Sequence, residues 1–178
     1  MATTNYQEFV KQAERGEILV GIDPAVARKF FTDTDHEAVQ KEIGEPLFVE
    51  RFFAKTVWLF EFITLFAGAI ASIFALAWYS AIVIPLMIVV FFIFGGKASM
   101  GTQKIGGAVL LVIICLVLAF YFSDKGLALF LWLILLPMPY FFARLTYKLS
   151  TVFLRALSLR NEKVFNMLND KGIFLKKV

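Results

Sequence analysis

Glu61 is the one ionisable side chain inside the first long apolar run of the sequence, residues 57–77. An acid in such a run can bind a proton or a cation in a transport pathway. It can also form a short-range ion pair with Lys55, Arg144 or Lys148, which lie near the ends of apolar runs. The apolar runs contain no second acid, histidine or asparagine that continues a path from Glu61, and this favours the ion pair.

Two prolines, Pro137 and Pro139, interrupt the last apolar run and predict a bend or a locally unwound turn. Such a break can form a binding pocket or a gate, although a simple change of helix direction is the more usual result.

Small residues recur at four-residue spacing along the first apolar run, which allows helices to approach closely in lipid. The stripe predicts either a subunit interface or packing against another helix of the same chain. Its members are Ala67, Gly68, Ala71, Ser72 and Ala75.

The glycine-rich basic segment 95–107 resembles a phosphate-binding loop only in composition. A nucleotide loop needs a glycine five residues before its Gly-Lys pair and Ser or Thr directly after it. Phe91 and Ala98 occupy those positions. We therefore interpret this segment as a flexible basic turn near lipid phosphates.

His36 lies beside Asp35 and Glu37 with no cysteine or second histidine nearby, which argues against a metal site. The one cysteine, Cys115, lies in an apolar run and is expected to serve packing. The sequence has no Ser-His-acid set, no pair of embedded carboxylates and no redox cysteine pair. We therefore predict no enzyme activity, no cofactor and no metal.

The composition is that of a membrane protein. Of 178 residues, 60% are hydrophobic and 18% are charged, and 21 are phenylalanine. Soluble domains carry roughly one quarter charged residues. A soluble domain of this length lacks the interior volume to bury so many aromatic rings together with several charge-free runs.

The charge-free stretch 62–94 is too long for one crossing of a bilayer. As a single helix it would extend roughly 50 Å, whereas the hydrocarbon core is about 30 Å thick. A reversal at Trp78-Tyr79-Ser80 divides it into arms at 57–77 and 81–94, with aromatic residues at the membrane boundary and Pro85 near the start of the second arm. We predict a hairpin.

The second half of the chain repeats this plan. A run at 105–122 and a run at 127–143 flank the polar turn 123–126. The sequence thus predicts an all-α integral membrane protein with four transmembrane helices arranged as two short hairpins in a membrane domain at 46–143. The segment 47–60, LFVERFFAKTVWLF, mixes phenylalanines with charges as an interfacial helical turn would.

The positive charges predict the orientation. With four spans, the N-terminal segment, the loop 95–104 and the tail share one side, and they hold all of the 18 Lys and Arg residues except Lys125. By the positive-inside rule, both termini are cytoplasmic. We favour a bacterial inner membrane over an endomembrane. Hairpins that enter the bilayer and return without crossing it would give the same charge count.

The N-terminal segment 1–45 is acidic and predicts short cytoplasmic helices. Start and stop signals are Thr4 with Gln7, Asp23-Pro24, and Thr34 with Glu37 before Gly44. Its apolar residues are too few for an independent core. They are therefore expected to pack on the membrane surface, on the tail or on a partner.

The basic tail 144–178 predicts an amphipathic cytoplasmic helix that continues from the last span and stops near Gly172. It either packs against the acidic N-terminal segment or a neighbouring subunit, or lies on anionic headgroups. In the second case the contacts would come from Lys97, Lys104, Lys148, Arg155, Arg160, Lys171, Lys176 and Lys177.

Two short hairpins, cytoplasmic termini and a basic tail resemble the layout of reticulon-like and prenylated Rab acceptor proteins. That resemblance implies membrane shaping or binding of small trafficking GTPases, and it transfers no functional residue. From the residues we predict a non-enzymatic membrane scaffold or accessory subunit. Its partners are the lipid bilayer and a second copy or another membrane protein, and not nucleic acid. The alternatives are a small homo-oligomeric channel or transporter that uses Glu61 and the Pro137/Pro139 break, or a membrane-shaping hairpin protein.

Overall fold

A computed structural model describes residues 6–33, 35–96, 105–169 and 173–177. The described chain is mostly helical. It divides into two compact units. Unit 1 comprises the described residues of Met1–Ala54 and Leu149–Val178, and unit 2 those of Lys55–Lys148.

The helices of the N-terminal half are α1 to α5. Their bounds are Tyr6–Glu14 (α1), Pro24–Thr32 (α2), His36–Ile43 (α3), Phe48–Leu76 (α4) and Ser80–Val90 (α5). A short 3₁₀ turn, Ala77–Tyr79, joins α4 to α5, and a π-helical turn, Phe91–Gly96, follows α5.

The helices of the C-terminal half are α6 to α9. Their bounds are Gly106–Tyr121 (α6), Leu127–Leu135 (α7), Met138–Arg160 (α8) and Glu162–Asn169 (α9). A 3₁₀ turn at Ser123–Lys125 joins α6 to α7. Two strands complete the fold, Ile18–Ile22 (β1) and Ile173–Lys177 (β2).

Local signals predict several helix ends correctly. The Asp23 side chain accepts hydrogen bonds from the backbone N–H groups of Ala25 (2.7 Å) and Val26 (3.2 Å), with Pro24 in the first turn of α2. Gly44 ends α3 in the left-handed conformation, with φ of 79°. A glycine adopts that conformation without the steric cost that a Cβ brings.

The start of α3 differs in detail from the predicted one. Asp35 is the N-cap, and its carboxylate accepts the N–H of Glu37 at 3.1 Å. The predicted caps Thr4 and Thr34 lie outside the described residues. Because a short carboxylate can satisfy a free helical N–H, Asp35 caps the helix in the way that was predicted for Thr34.

The two strands correct the prediction of an N-terminal segment made of helices alone. β1 pairs antiparallel with β2, with Ile18 opposite Lys177 and Ile22 opposite Ile173. Ile18, Val20 and Ile22 alternate toward the interior, as a half-buried strand requires. The pairing partner lies at the other end of the chain, so no local sequence pattern predicts the pairing.

The tail is also not one helix. α8 ends at Arg160, and the Asn161 side chain caps α9 by accepting the N–H of Lys163 at 3.0 Å. The Asn161 amide donates to the Ile43 carbonyl at 3.2 Å, which fixes the break against α3. The predicted stop at Gly172 lies outside the described residues.

Unit 1 has its own hydrophobic core. One cluster joins α2, α3 and the start of α4 to α8 and α9, and a second joins α1 and β1 to α9. The N-terminal apolar side chains therefore pack on the tail, which is one of the placements predicted for them. The first cluster consists of Ile22, Ala27, Phe30, Phe31, Val39, Ile43, Leu47, Ala54, Leu154, Leu157, Val164 and Leu168, and the second of Phe9, Ile18, Val20 and Phe165.

In unit 2, α4 and α5 form a hairpin. The rings of Phe62 and Phe91 lie 6.3 Å apart between centroids, although a continuous helix would separate these residues by roughly 40 Å. The reversal occurs at Ala77, which has a positive φ of 48°. A hairpin that turns at Ala77–Tyr79 agrees with the predicted reversal.

The remaining helices of unit 2 pack in the same way. Phe120 of α6 contacts Phe130 of α7 edge to face at 5.7 Å, so these helices also fold back on each other. Phe60 of α4 stacks on Phe142 of α8 at 5.5 Å. The predicted break of the last apolar run falls between α7 and α8, at Pro137.

Candidate functional site

Unit 2 buries a small polar group near the contact of α4 with α8. Glu61 is 1% exposed, and Phe60 beside it stacks on Phe142 of α8. Two residues after Phe142, Arg144 donates from Nη2 to the Tyr140 hydroxyl at 3.0 Å, and its guanidinium carbon lies 5.2 Å from the centre of the Tyr140 ring. The structure thus brings Glu61 and Arg144 to the same level of neighbouring helices.

The Thr64 hydroxyl, one turn from Glu61, is hydrogen-bonded within α4. Thr64 donates to the Phe60 carbonyl at 2.6 Å and lies 3.2 Å from the Glu61 carbonyl oxygen. Lys148, the third member of the predicted charge site, lies one turn beyond Arg144 on α8 and is exposed. Burial of Glu61 makes an isolated charge costly, because an ionised carboxylate in an apolar interior loses its hydration.

An apolar cavity of about 350 Å³ lies next to this polar group. Helices α4, α5 and α6 and the α7–α8 junction line it. Among the described lining side chains, Tyr140 contributes a hydroxyl and the others are apolar. The lining includes Leu65, Met87, Leu111, Cys115, Leu136 and Tyr140.

The helix break shapes one wall of this cavity. Pro137 and Pro139 have no N–H to donate to the preceding turn, so α7 stops at Leu135 and α8 restarts at Met138. The break places Leu136, Pro139 and Tyr140 on the cavity lining. A cavity therefore lies at the helix break, and its use as a binding pocket or a gate stays a prediction.

The small-residue stripe packs inside the chain at its centre. A Cβ added at Gly68 would meet Met87 Cε at 3.2 Å and Leu135 Cβ at 3.7 Å, so α5 and α7 approach this glycine closely. Ser72 is fully buried and donates to the Ala69 carbonyl at 2.7 Å. At these two residues the stripe packs within the chain, and a subunit interface through its other members stays a prediction. Ala67, Ala71 and Ala75 are half-buried.

The residues predicted to contact lipid headgroups have different surroundings. Lys97, Lys104 and Lys171 lie outside the described residues. Lys176 and Lys177 belong to β2, whose backbone pairs with β1. Lys148 and Arg155 are exposed on α8. Headgroup contact stays a prediction for this set.

Arg160 has a structural role in unit 1. Its Nε donates to Glu45 at 3.1 Å and its Nη2 to Glu50 at 3.0 Å. The guanidinium thereby joins the end of α8 to the segment that leads into α4. Each of the two carboxylates accepts one charge-assisted hydrogen bond from the guanidinium.

Tyr6 extends the contact between the two ends of unit 1. Its hydroxyl donates to the Leu159 carbonyl at 2.9 Å, and its ring lies 5.6 Å from that of Phe165. Burial, together with the nearby carboxylates of Glu162 and Glu45, raises the pKa of Tyr6 above its ordinary value. The neutral hydroxyl is therefore the form that the fold favours.

Across the described residues, no group of three or more His, Cys, Asp and Glu side chains is arranged to hold a metal ion. Tyr140 was not among the predicted site residues, although a pocket at the proline break was one of the predicted outcomes. The position of Tyr140 directly after the Pro-Met-Pro break, in the first turn of α8, is the sequence signal that could have identified it.

Two helical segments are long and apolar enough to cross a membrane by length and composition, Phe48–Ile93, which contains the turn at Ala77–Tyr79, and Leu127–Arg160. Gly106–Tyr121 is a shorter apolar helix. Comparison of the chain with family models, with curated proteins and with solved structures gives no match.

Proposed function

We propose that this protein is a non-enzymatic integral membrane scaffold or accessory subunit. In this proposal unit 2 spans the bilayer four times, both termini are cytoplasmic, and unit 1 presents a docking surface to a second copy or to another membrane protein. The observation that carries the proposal is that the polar sequence before and after the apolar helices folds into one unit with its own core.

The surface of unit 2 supports the membrane placement. Large apolar side chains are exposed on α4, α5 and α6, far beyond the apolar patches that soluble monomers tolerate. Phe74 and Trp78, at the end of α4 and in the following turn, are 76% and 69% exposed. Lipid is the solvent in which such a surface is stable. Other members are Phe66, Ile70, Ile82, Leu86, Leu110, Val117 and Phe120.

Cysteine labelling tests the topology. In a Cys115→Ala background, we expect Trp78→Cys and Asp124→Cys to react with a membrane-impermeant maleimide from outside intact vesicles or cells. We expect Arg155→Cys to react only from the cytoplasmic side. Reaction of Asp124→Cys and Arg155→Cys from the same side would contradict four spans.

The same labelling separates full crossing from membrane shaping. Helix α5 has 11 residues, about 17 Å of rise, which is short for a bilayer core of about 30 Å. A Trp78→Cys variant that reacts from neither side would show a hairpin that enters one leaflet and returns. That result would favour the membrane-shaping alternative.

The docking surface is tested by reversing its charges. Glu37 and Glu42 are exposed on α3, and Arg155 and Lys163 are exposed on α8 and α9. We expect the full chain in mild detergent to self-associate or to retain a membrane-protein partner. Reversal of either the acidic or the basic pair should reduce that association about tenfold without a change in thermal unfolding. A monodisperse particle with no partner and no lipid preference would contradict the proposal.

A channel or transporter is the second candidate, and the burial of Glu61 beside a broken helix favours it. Discontinuous helices and embedded acids are common features of transport pathways. If this candidate is correct, vesicles containing the protein pass protons or monovalent cations, and Glu61→Gln abolishes the flux. Wild-type vesicles without flux would dismiss it.

A further inference from the structure

The cavity of unit 2 has a polar edge and an apolar interior. Tyr140 lines it and accepts a hydrogen bond from Arg144, so its own O–H proton is directed elsewhere. Within the described part of the chain, Tyr140 makes no hydrogen bond as a donor. Leu65, Met87, Leu111 and Cys115 line the apolar part. The cavity therefore offers one hydroxyl donor at its edge and apolar contact elsewhere.

The charges near that edge are predominantly positive. Lys55 lies near the start of unit 2, and Arg144 and Lys148 lie on α8 where unit 2 ends. Among the described residues of unit 2, Glu61 is the acid at this end of the helices, and an ion pair with one of the three cations leaves a positive excess. An anionic group is therefore attracted to the edge where Tyr140 lies.

These features select among ligand classes. A hydrated cation would lose its water without gaining carboxylate ligands, because the described lining side chains carry none. A ligand that is apolar throughout would leave the Tyr140 O–H without an acceptor. An amphiphile with an apolar chain and an anionic head satisfies both ends. At about 350 Å³, the cavity falls in the lower part of the range of small-molecule sites.

We propose that this cavity holds one acyl chain of an anionic membrane phospholipid, with a headgroup or ester oxygen accepting the Tyr140 O–H. The headgroup lies toward Arg144 and Lys148. The proposal rests on the membrane placement of unit 2 proposed above. The cavity would then hold a structural lipid. Neither docking through unit 1 nor transport through Glu61 requires such a lipid.

Lipid retention by the full chain tests this site. The protein is reconstituted with equal amounts of phosphatidylglycerol and phosphatidylcholine and exchanged into mild detergent, and bound lipid per protein is measured by mass spectrometry. We expect selective retention of phosphatidylglycerol. Tyr140→Phe keeps the ring but removes the donor, and should lower that retention about tenfold. Tyr121→Phe, at an exposed tyrosine, is the matched control and should retain lipid as the wild type does.

The single cysteine gives an independent reading of occupancy. Cys115 lines the cavity and is the one cysteine of the chain, so its alkylation rate reports access to the cavity. We expect phosphatidylglycerol to slow alkylation several-fold relative to phosphatidylcholine. Leu111→Trp should fill the cavity and lower lipid retention, whereas Leu110→Trp, on a neighbour outside the cavity lining, should not.

Two results would overturn the proposal. One is equal retention of both lipids by the wild type, and the other is a Tyr140→Phe variant that retains phosphatidylglycerol as well as the wild type does. Labelling of Asp124→Cys and Arg155→Cys on the same preparation separates this failure from failure of the membrane placement. If the two sites label from opposite sides while lipid selectivity is absent, the lipid site is wrong and the four-span proposal stands.

Discussion

Tyr6 links the first helix to the end of α8 through one hydrogen bond. The donor is the phenol, and the acceptor is the Leu159 carbonyl 2.9 Å away. Ionisation of the phenol removes the donor and places a negative charge near Glu162 and Glu45. The effect of Tyr6 on stability should therefore depend on pH.

The free energy of unfolding should fall at alkaline pH because of this group. The pKa of Tyr6 is raised in the folded state, so its contribution is fully present below the unfolded pKa of about 10 and is lost as pH rises toward the folded value. Tyr6→Phe should reduce stability by about 1 kcal/mol at pH 8 and remove this part of the alkaline decline. Unfolding in detergent at pH 8 to 11 measures both.

Tyr121→Phe serves as the control, since Tyr121 is exposed in unit 2. It should leave the stability at pH 8 unchanged. An alkaline decline that is identical in wild type and Tyr6→Phe would contradict the assignment to Tyr6.

The turn between α4 and α5 carries backbone strain at a single residue. Ala77 has φ of 48°, a conformation that costs a residue with a Cβ about 1–2 kcal/mol. Ser80 supports the turn by donating its hydroxyl to the Ala77 carbonyl at 2.6 Å. The turn is thus stabilised by its surroundings against its local preference.

Glycine and valine at position 77 should therefore change the stability of the protein in opposite directions. Ala77→Gly relieves the strain and, after the added entropy of the unfolded chain, should stabilise the protein by up to about 1 kcal/mol. Ala77→Val should destabilise it, because a β-branched residue tolerates positive φ least. Thermal unfolding in one detergent compares the two variants. A loss of stability in Ala77→Gly would show that the turn is not strained there.

Helix ends and the first hairpin could be predicted because their causes are local. Asp23, Pro24 and Gly44 act within one turn, and the length of the apolar stretch 62–94 together with the Trp78-Tyr79 pair predicts the reversal and its position. Pairing of β1 with β2 could not be predicted, because the partners are separated by almost the whole chain.

Part of the candidate site could be predicted because some of its residues give a local signal in the sequence. Glu61, Pro137 and Pro139 stand out in the sequence because each violates the apolar helical pattern around it. The cavity is made by ordinary apolar residues, such as Met87 and Cys115, that come together from different helices. Whether such residues line a cavity depends on tertiary packing, which cannot be predicted from composition or spacing.

The two ends of the chain fold as one unit through an aromatic contact. The rings of Phe9 in α1 and Phe165 in α9 lie 4.4 Å apart between centroids, and both side chains are buried. Such pairs contribute about 0.5–1.5 kcal/mol beyond the area they bury. Because Phe9 and Phe165 lie near opposite ends of the sequence, energetic coupling between them requires the two ends to fold together.

A double-mutant cycle with Phe9→Leu and Phe165→Leu should measure this coupling. We expect an interaction energy of about 1 kcal/mol in unfolding experiments, because each substitution keeps an apolar side chain but removes the ring contact. A matched cycle that pairs Phe9→Leu with Phe74→Leu in unit 2 should be additive. Additive behaviour of Phe9 and Phe165 would contradict folding of the two ends as one unit.

The β1–β2 pairing can form only after β2 has been synthesised. β1 leaves the ribosome before any of the long apolar helices, whereas β2 is translated after all the helices described here. Until then the edge of β1 has no antiparallel partner from β2. Termination of synthesis after Asn169 and before Ile173 would therefore yield polypeptides that contain all the apolar helices but a β1 without its partner strand.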